Sequence, residues 1–189
     1  DVNEIKAFVK WRGPDALVNT GLFVLLTIQA GLSTVKGSMV KVERDVYQAD
    51  CLWGKKAEGY EYLVDNADYL YGKLYAIADK YGYDSPTGCQ EIIRLFADVP
   101  NLGMVKAAFF AQCLGFNTAC LDSHNLKRFG IPSSAVKLNM KAKEPTIRRK
   151  ITDYIQLCHD LRNQHAGSND SSAEYWWNSW CYLVAGNRA

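Results

Sequence analysis

Residues 91–130 decide the fold, and they read EIIRLFADVPNLGMVKAAFFAQCLGFNTACLDSHNLKRFG. Apolar residues recur every three or four positions up to Val99, which predicts an amphipathic helix that ends there. Pro100-Asn101-Leu102-Gly103 then predicts a tight turn, because proline fixes φ and glycine permits conformations that other residues avoid. A second helix is predicted from Met104 to Leu114. This stretch therefore predicts two helices joined by a short hairpin.

Helical periodicity also dominates the rest of the chain, without the alternation that is typical of strands. Caps support several helix starts, such as Asp84-Ser85-Pro86, where proline follows a capping residue. No internal repeat or linker divides the 189 residues, so one all-α domain, 1–189, is expected. Further helices are predicted at about 14–32, 38–46, 53–80, 86–98, 123–129, 144–165 and 172–183.

The composition excludes several classes of protein. Hydrophobic residues make up 48% of the chain and charged residues 22%, which is typical of a globular protein. The longest apolar run, residues 21–30, is too short to cross a bilayer, and no signal-like arrangement precedes it, so a cytoplasmic protein without a membrane partner is expected. The six cysteines lack the spacing of a zinc or redox site, which predicts buried, reduced thiols and no metal.

The charge is unevenly distributed along the chain. Residues 43–98 carry eleven acids and six bases, whereas residues 99–150 carry nine bases and two acids. Such a division would let the protein present a basic face to a polyanion. The alternative is accidental clustering on a solvated surface. Near the hairpin, the first amides of the second helix and the ammonium of Lys106 together predict a phosphate-binding position.

Two motifs resemble the helix-hairpin-helix superfamily of base-excision DNA glycosylases. Pro100-Asn101-Leu102-Gly103 with Lys106-Ala107 is similar to the hairpin of that family, which here occupies about residues 90–115. The segment 121–128, LDSHNLKR, is similar to the family's acidic motif, and Asp122 stands at the position of its catalytic aspartate. Nineteen residues separate Gly103 from Asp122, close to the family's spacing. The resemblance covers about forty residues and implies a two-lobed helical fold that acts on a base flipped out of DNA.

The resemblance also implies site residues. Asp122, the only acid between Asp98 and Glu144, would stabilise the positive charge that develops on the sugar, with Lys106 as the second catalytic candidate. Asp122 can equally serve as the N-cap of a helix, and the two roles are compatible. The expected DNA contacts are Asn101, Gly103, Met104, Val105, Lys106, His124, Asn125, Lys127, Arg128, Arg148 and Arg149. The candidate walls of a base pocket are Trp53, Tyr60, Tyr175 and Trp177.

The sequence departs from the family's pattern in three places. Lys106 stands one position later than the nucleophilic lysine of the strand-cleaving members, which rotates its side chain by about 100° and favours a phosphate contact over a Schiff base. Asn101 replaces a glycine of the hairpin, but asparagine tolerates left-handed backbone. The four-cysteine iron–sulfur loop is absent, so no cofactor is expected, although a monovalent cation at the hairpin is possible.

Three functions remain open from the sequence. The first is a monofunctional DNA glycosylase that releases a modified or damaged base. The second is a group-transfer enzyme that modifies thymine in viral DNA, since this short, divergent form resembles bacteriophage members of the superfamily. The third is a non-catalytic DNA-binding module. All three have DNA as the partner, and no protein partner can be inferred.

Overall fold

A computed structural model of the chain describes residues 2–28, 30, 34, 35, 37–40 and 52–165. Over these residues the protein is all-helical and contains no strand, as the sequence predicts. None of the helices in these ranges is long and apolar enough to cross a membrane. The helices in chain order are α1 (Val2–Arg12), α2 (Pro14–Leu26), α3 (Lys55–Asp65), α4 (Ala67–Tyr81), α5 (Pro86–Phe96), α6 (Gly103–Cys113), α7 (Ser123–Arg128), a 3₁₀ helix (Ser133–Val136) and α8 (Glu144–His165).

Local signals fix several of these boundaries. Ser85 caps α5, because its hydroxyl accepts a hydrogen bond from the amide of Gly88 at 2.9 Å. The bounds of α8 coincide with the predicted ones. The predicted helix at 172–183 lies outside the described residues, as does most of the one at 38–46.

Two helices were predicted with wrong bounds, and one helix was not predicted. The helix predicted at 53–80 is two helices, because Asn66 leaves helical geometry and its side-chain amide donates to the carbonyl of Tyr62 at 2.9 Å. The helix predicted at 14–32 ends at Leu26, where the Thr27 hydroxyl donates to Val24 O at 2.6 Å. Helix α1 was not predicted, and its last turn leaves the Trp11 side chain 76% exposed.

Helix α6 is the centre of the core. Eight of its eleven residues are buried, and it packs against α1, α2 and α5. Ala107 and Ala108 are fully buried, so the two helices of the hairpin lie close together, as their small side chains suggest. The rings of Phe96 and Phe110 stack between α5 and α6 with centroids 4.1 Å apart. Helix α8 packs against α5, and α3 and α4 pack against α2.

The cysteines of the described part follow the prediction. Cys89, Cys113, Cys120 and Cys158 are all buried and free. Cys51 and Cys181 lie outside the described residues.

Candidate nucleic-acid interface and carboxylate site

The predicted hairpin turn forms between α5 and α6. The amide of Val99 donates to Phe96 O and the amide of Leu102 donates to Val99 O, both at 3.1 Å. Asn101 lies exposed at the tip with φ 70°, a left-handed conformation that asparagine adopts more readily than most residues. Gly103, with φ 55°, begins α6 one residue earlier than predicted.

The start of α6 has no side-chain cap. Leu102 occupies the N-cap position and its apolar side chain accepts no hydrogen bond from the helix. The amides of Gly103, Met104 and Val105 are therefore left without a capping side chain, which is the arrangement that binds anions at helix starts. At Met104 only the backbone amide could contact a phosphate, because the residue is buried and 3% exposed.

Helix α3 packs closely against the backbone of this turn. A Cβ atom placed on Gly59 would lie 2.5 Å from the carbonyl oxygen of Pro100. Only glycine permits such a close approach of the helix to the turn backbone. The position of the turn is thus fixed by α3 as well as by its own hydrogen bonds.

Lys106 lies along the side of α6 toward the end of α2. Its Nζ donates to Thr27 Oγ1 at 3.2 Å and lies 5.3 Å from the centroid of the Phe109 ring. The last carbonyls of α2 favour a cation at this position. A phosphate contact by Lys106 stays a prediction, and the bond to Thr27 uses only one of the three donors of the ammonium.

The connection after α6 is a buried loop, defined here as residues 114–121. All eight of its residues are buried, so its backbone polar groups need partners inside the protein. The Tyr154 hydroxyl donates to Ala119 O at 2.6 Å and accepts from the Leu121 amide at 3.0 Å. Gln112 Oε1 accepts from the Cys120 amide at 3.1 Å, and Asn125 Nδ2 donates to Cys120 O at 2.6 Å. Side chains from α6, α7 and α8 therefore hold this loop together.

Asp122 follows the buried loop directly and is the N-cap of α7. Its backbone is extended, with φ −73° and ψ 178°, and its side chain is half-buried. Its Oδ1 accepts hydrogen bonds from the amides of His124 at 3.1 Å and Asn125 at 3.0 Å. The second carboxylate oxygen takes part in neither of these bonds. Asp122 therefore caps α7, as its sequence position suggested. This role uses Oδ1 and leaves the second carboxylate oxygen for another function.

Both catalytic candidates, Lys106 and Asp122, affect the pKa of the Cys120 thiol. Burial raises its pKa to about 11, the Lys106 ammonium lowers that pKa, and the Asp122 carboxylate raises it. Both charges therefore lie within electrostatic reach of the same buried sulfur. One of these charges comes from α6 and the other from the residue that caps α7.

Exposed cations recur along the chain from α7 to the first turns of α8. They form what is called here the basic surface, and none of them has an ion pair with an acid of the described residues. Arg128 also lies over the ring of Phe129, 5.7 Å from its centroid. The basic surface consists of Lys127, Arg128, Lys137, Lys141, Lys143 and Arg149.

Two predicted DNA contacts are placed differently. Asn125 is 3% exposed and its side chain points into the buried loop, which corrects the expectation that it touches DNA. Arg148 forms ion pairs with Glu91 and with Glu144, the latter at 3.0 Å, so its guanidinium fastens α8 to α5. His124, by contrast, is exposed.

The proposed pocket residues do not meet in the described part of the chain. Trp53 is 69% exposed, whereas Tyr60 is half-buried against the core, where burial raises its pKa. Tyr175 and Trp177 lie outside the described residues.

One cavity of about 200 Å³ lies between the first turns of α5 and the middle of α8. Neither Asp122 nor Lys106 lines it. Within the described ranges no group of three or more histidine, cysteine or acidic side chains could hold a metal ion. The cavity is lined by Pro86, Thr87, Gln90, Thr152, Ile155, Gln156 and His159.

Sequence reasoning missed two residues that support the site, Gln112 and Tyr154. Gln112 offered one signal, since it is a polar residue within the apolar run FFAQC. Tyr154 offered none, because its partners on the buried loop are 33 and 35 residues away in sequence.

Comparison of the chain with protein-family models, with curated proteins and with solved structures finds no match. Function must therefore be inferred from the site itself.

Proposed function

We propose that this protein binds DNA through its hairpin and basic surface, and that Asp122 takes part in releasing a modified or damaged base, as in a monofunctional DNA glycosylase. One observation carries the proposal. The Asp122 carboxylate follows a buried loop that three helices hold in place, yet one of its oxygens makes no bond to the helix it caps. A purely structural cap does not require such elaborate support.

DNA binding is supported by the uncapped start of α6 and by the exposed cations of the basic surface. Backbone amides and lysine or arginine side chains are the groups that bind phosphate in nucleic acids. The two features belong to the same basic third of the chain, which carries nine bases against two acids.

The chemistry requires a carboxylate of fixed position. Breaking an N-glycosidic bond develops positive charge on the sugar, and a carboxylate held nearby stabilises it without reorganisation. Lys106 would act through its charge rather than as a nucleophile, since it stands one helical position after that of a Schiff-base lysine. The base itself must leave the helix stack to reach Asp122.

A non-catalytic DNA-binding module is the second candidate, and two observations favour it. The bonds from His124 and Asn125 give Asp122 a sufficient role as a helix cap. The cavity between α5 and α8 is not lined by Asp122. This candidate predicts DNA binding that no change at Asp122 affects.

Asp122→Asn separates the candidates, because asparagine caps helices as well as aspartate does. We expect this variant to keep the fold and the DNA affinity while base release falls by about 10²-fold or more. The assay incubates the protein with damaged, hydroxymethylated and hypermodified DNA and measures free base by mass spectrometry. Asp153→Asn, at an exposed position of α8, is the matched control and should keep full activity.

Three results would change the assignment. Base release by Asp122→Asn at the wild-type rate would overturn the catalytic role. A gain of mass on the DNA without free base would indicate group transfer. Salt-sensitive binding without any change in the DNA would indicate the non-catalytic module.

The DNA-binding surface has its own test. Replacing both Lys127 and Arg128 with alanine should lower the salt dependence of DNA affinity by about 0.9 in log–log slope for each phosphate that the protein no longer neutralises. Replacing Lys55 and Lys73, which are exposed on α3 and α4, removes the same charge and should leave the slope unchanged. Equal effects of the two double variants would contradict the assigned surface.

A further inference from the structure

We propose that Tyr154 is a positioning residue for Asp122: its hydroxyl fixes the backbone from which the carboxylate projects. The catalytic consequence of this role rests on the proposed function. The geometric role does not, since it depends only on contacts within the fold.

Tyr154 joins two backbone groups on either side of Cys120. Its side chain is fully buried on α8, and its hydroxyl both donates to Ala119 O and accepts from the Leu121 amide. One oxygen atom thereby fixes two peptide units of a segment that has no helical hydrogen bonds of its own. Leu121 is the residue immediately before Asp122.

Asn125 transmits this position to the carboxylate. Its side chain donates to Cys120 O, and its backbone amide donates to Asp122 Oδ1. A movement of Cys120 therefore moves Asn125, and a movement of Asn125 changes the hydrogen bond to the carboxylate. Tyr154, Cys120, Asn125 and Asp122 form one continuous path of contacts from α8 to the proposed site.

Tyr154→Phe is the direct test, because it removes the hydroxyl and keeps the ring in the core. Ala119 O and the Leu121 amide are then buried without a partner, and the segment must shift to satisfy them. We expect the amides of His124 and Asn125 to exchange hydrogen at least about tenfold faster, relative to amides of α4. We also expect kcat for base release to fall about 10- to 100-fold while KM and DNA affinity stay unchanged.

Thr20→Val is the matched control. It also deletes a buried hydroxyl that donates to a backbone carbonyl, Ala16 O at 2.8 Å, but this group lies within α2. The control should leave the exchange of the two α7 amides and kcat at their wild-type values. Asn125→Ala is a second test variant, to be used if Tyr154→Phe does not fold, and it should show the same two effects.

The two measurements distinguish failure of this proposal from failure of the proposed function. Unchanged exchange at His124 and Asn125 in the folded variant would overturn the positioning role, whatever the activity. Faster exchange with wild-type kcat would overturn the catalytic consequence of that role. If the wild-type protein releases no base, the proposed function fails, and the exchange data alone decide whether Tyr154 positions Asp122.

Discussion

The two connections that flank α6 are built in opposite ways. The hairpin turn before it is held by hydrogen bonds between its own backbone groups, from Val99 to Phe96 and from Leu102 to Val99. In the buried loop after it, the amides of residues 114–118 bond to backbone carbonyls, whereas the last three residues, 119–121, are held by side chains of α6, α7 and α8. The turn is therefore specified by its own backbone, whereas the residues that lead to Asp122 depend on side chains, one of which, Tyr154, lies 33 and 35 residues from its partners in sequence.

The largest effect is expected in the loop. Gln112→Leu keeps the volume of the side chain but leaves the buried amide of Cys120 without its acceptor. An unsatisfied buried donor lowers the free energy of unfolding by about 1–3 kcal/mol. Urea denaturation measures this change. Gln164→Leu, at an exposed position of α8, should stay within about 0.5 kcal/mol of wild type, and equal values for the two variants would contradict the role of Gln112.

A somewhat smaller effect is expected where α3 supports the turn. Gly59→Ala places a methyl group against Pro100 O, a backbone atom that cannot rotate away. Such overpacking outweighs the gain in helix propensity and should lower the free energy of unfolding by about 1–2 kcal/mol. Gly72→Ala, at an exposed position of α4 with open space around it, should instead raise it by about 0.5–1 kcal/mol. Stabilisation by both variants would show that α3 does not constrain the turn.

The tip of the turn should tolerate more. Asn101→Ala forces alanine into left-handed backbone at φ 70° and should lower the free energy of unfolding by about 1 kcal/mol. Asn101→Gly meets no such strain and should lie within a few tenths of a kcal/mol of wild type. Thermal unfolding of the wild type and the two variants tests whether the turn is specified by its own backbone. Equal losses of stability in both variants would contradict this.

The smallest effect concerns the ion pairs that join α5, the helix before the turn, to α8, the helix that carries Tyr154. Hydrogen bonding from Arg94, together with the charges of Arg94 and Arg148, lowers the pKa of the Glu144 carboxyl. Because this pKa is lower in the folded state, the stabilisation is present above the usual glutamate pKa of about 4.3 and is lost as the pH falls through the lowered value.

The free energy of unfolding, measured between about pH 3 and pH 6, should decrease as the pH falls. Glu144→Gln should make this pH dependence less steep. The pair is exposed, so the change will be small. Glu58→Gln, on α3, is the control for removing one carboxylate elsewhere. A slope that Glu144→Gln leaves untouched would show that these ion pairs do not contribute to stability.

The features that could be predicted from the sequence depend on neighbouring residues. Proline, asparagine and glycine at 100–103 specify the turn through their own backbone preferences, and apolar periodicity specifies α8. Asp122 was identified as a helix cap for the same reason, since its partners lie two and three residues ahead.

The features that could not be predicted depend on which partner a polar side chain takes in the folded protein. Asn125 looked like an exposed polar residue, and only the buried carbonyl of Cys120 explains why it points inward. Arg148 looked like a free cation until α5 placed Glu91 beside it. The helix predicted at 53–80 is divided at Asn66, because the side chain of Asn66 donates to the backbone carbonyl of Tyr62 instead of pointing into solvent.

The long sequence separation between Tyr154 and its partners has a consequence for synthesis on the ribosome. The hairpin is complete once residue 113 has emerged, but the residue that holds the peptide units before Asp122 follows about forty residues later. A nascent chain can therefore form the turn first, while its carboxylate is still attached to unsupported backbone. The last long helix to leave the exit tunnel among those described is the one that sets this acid in place.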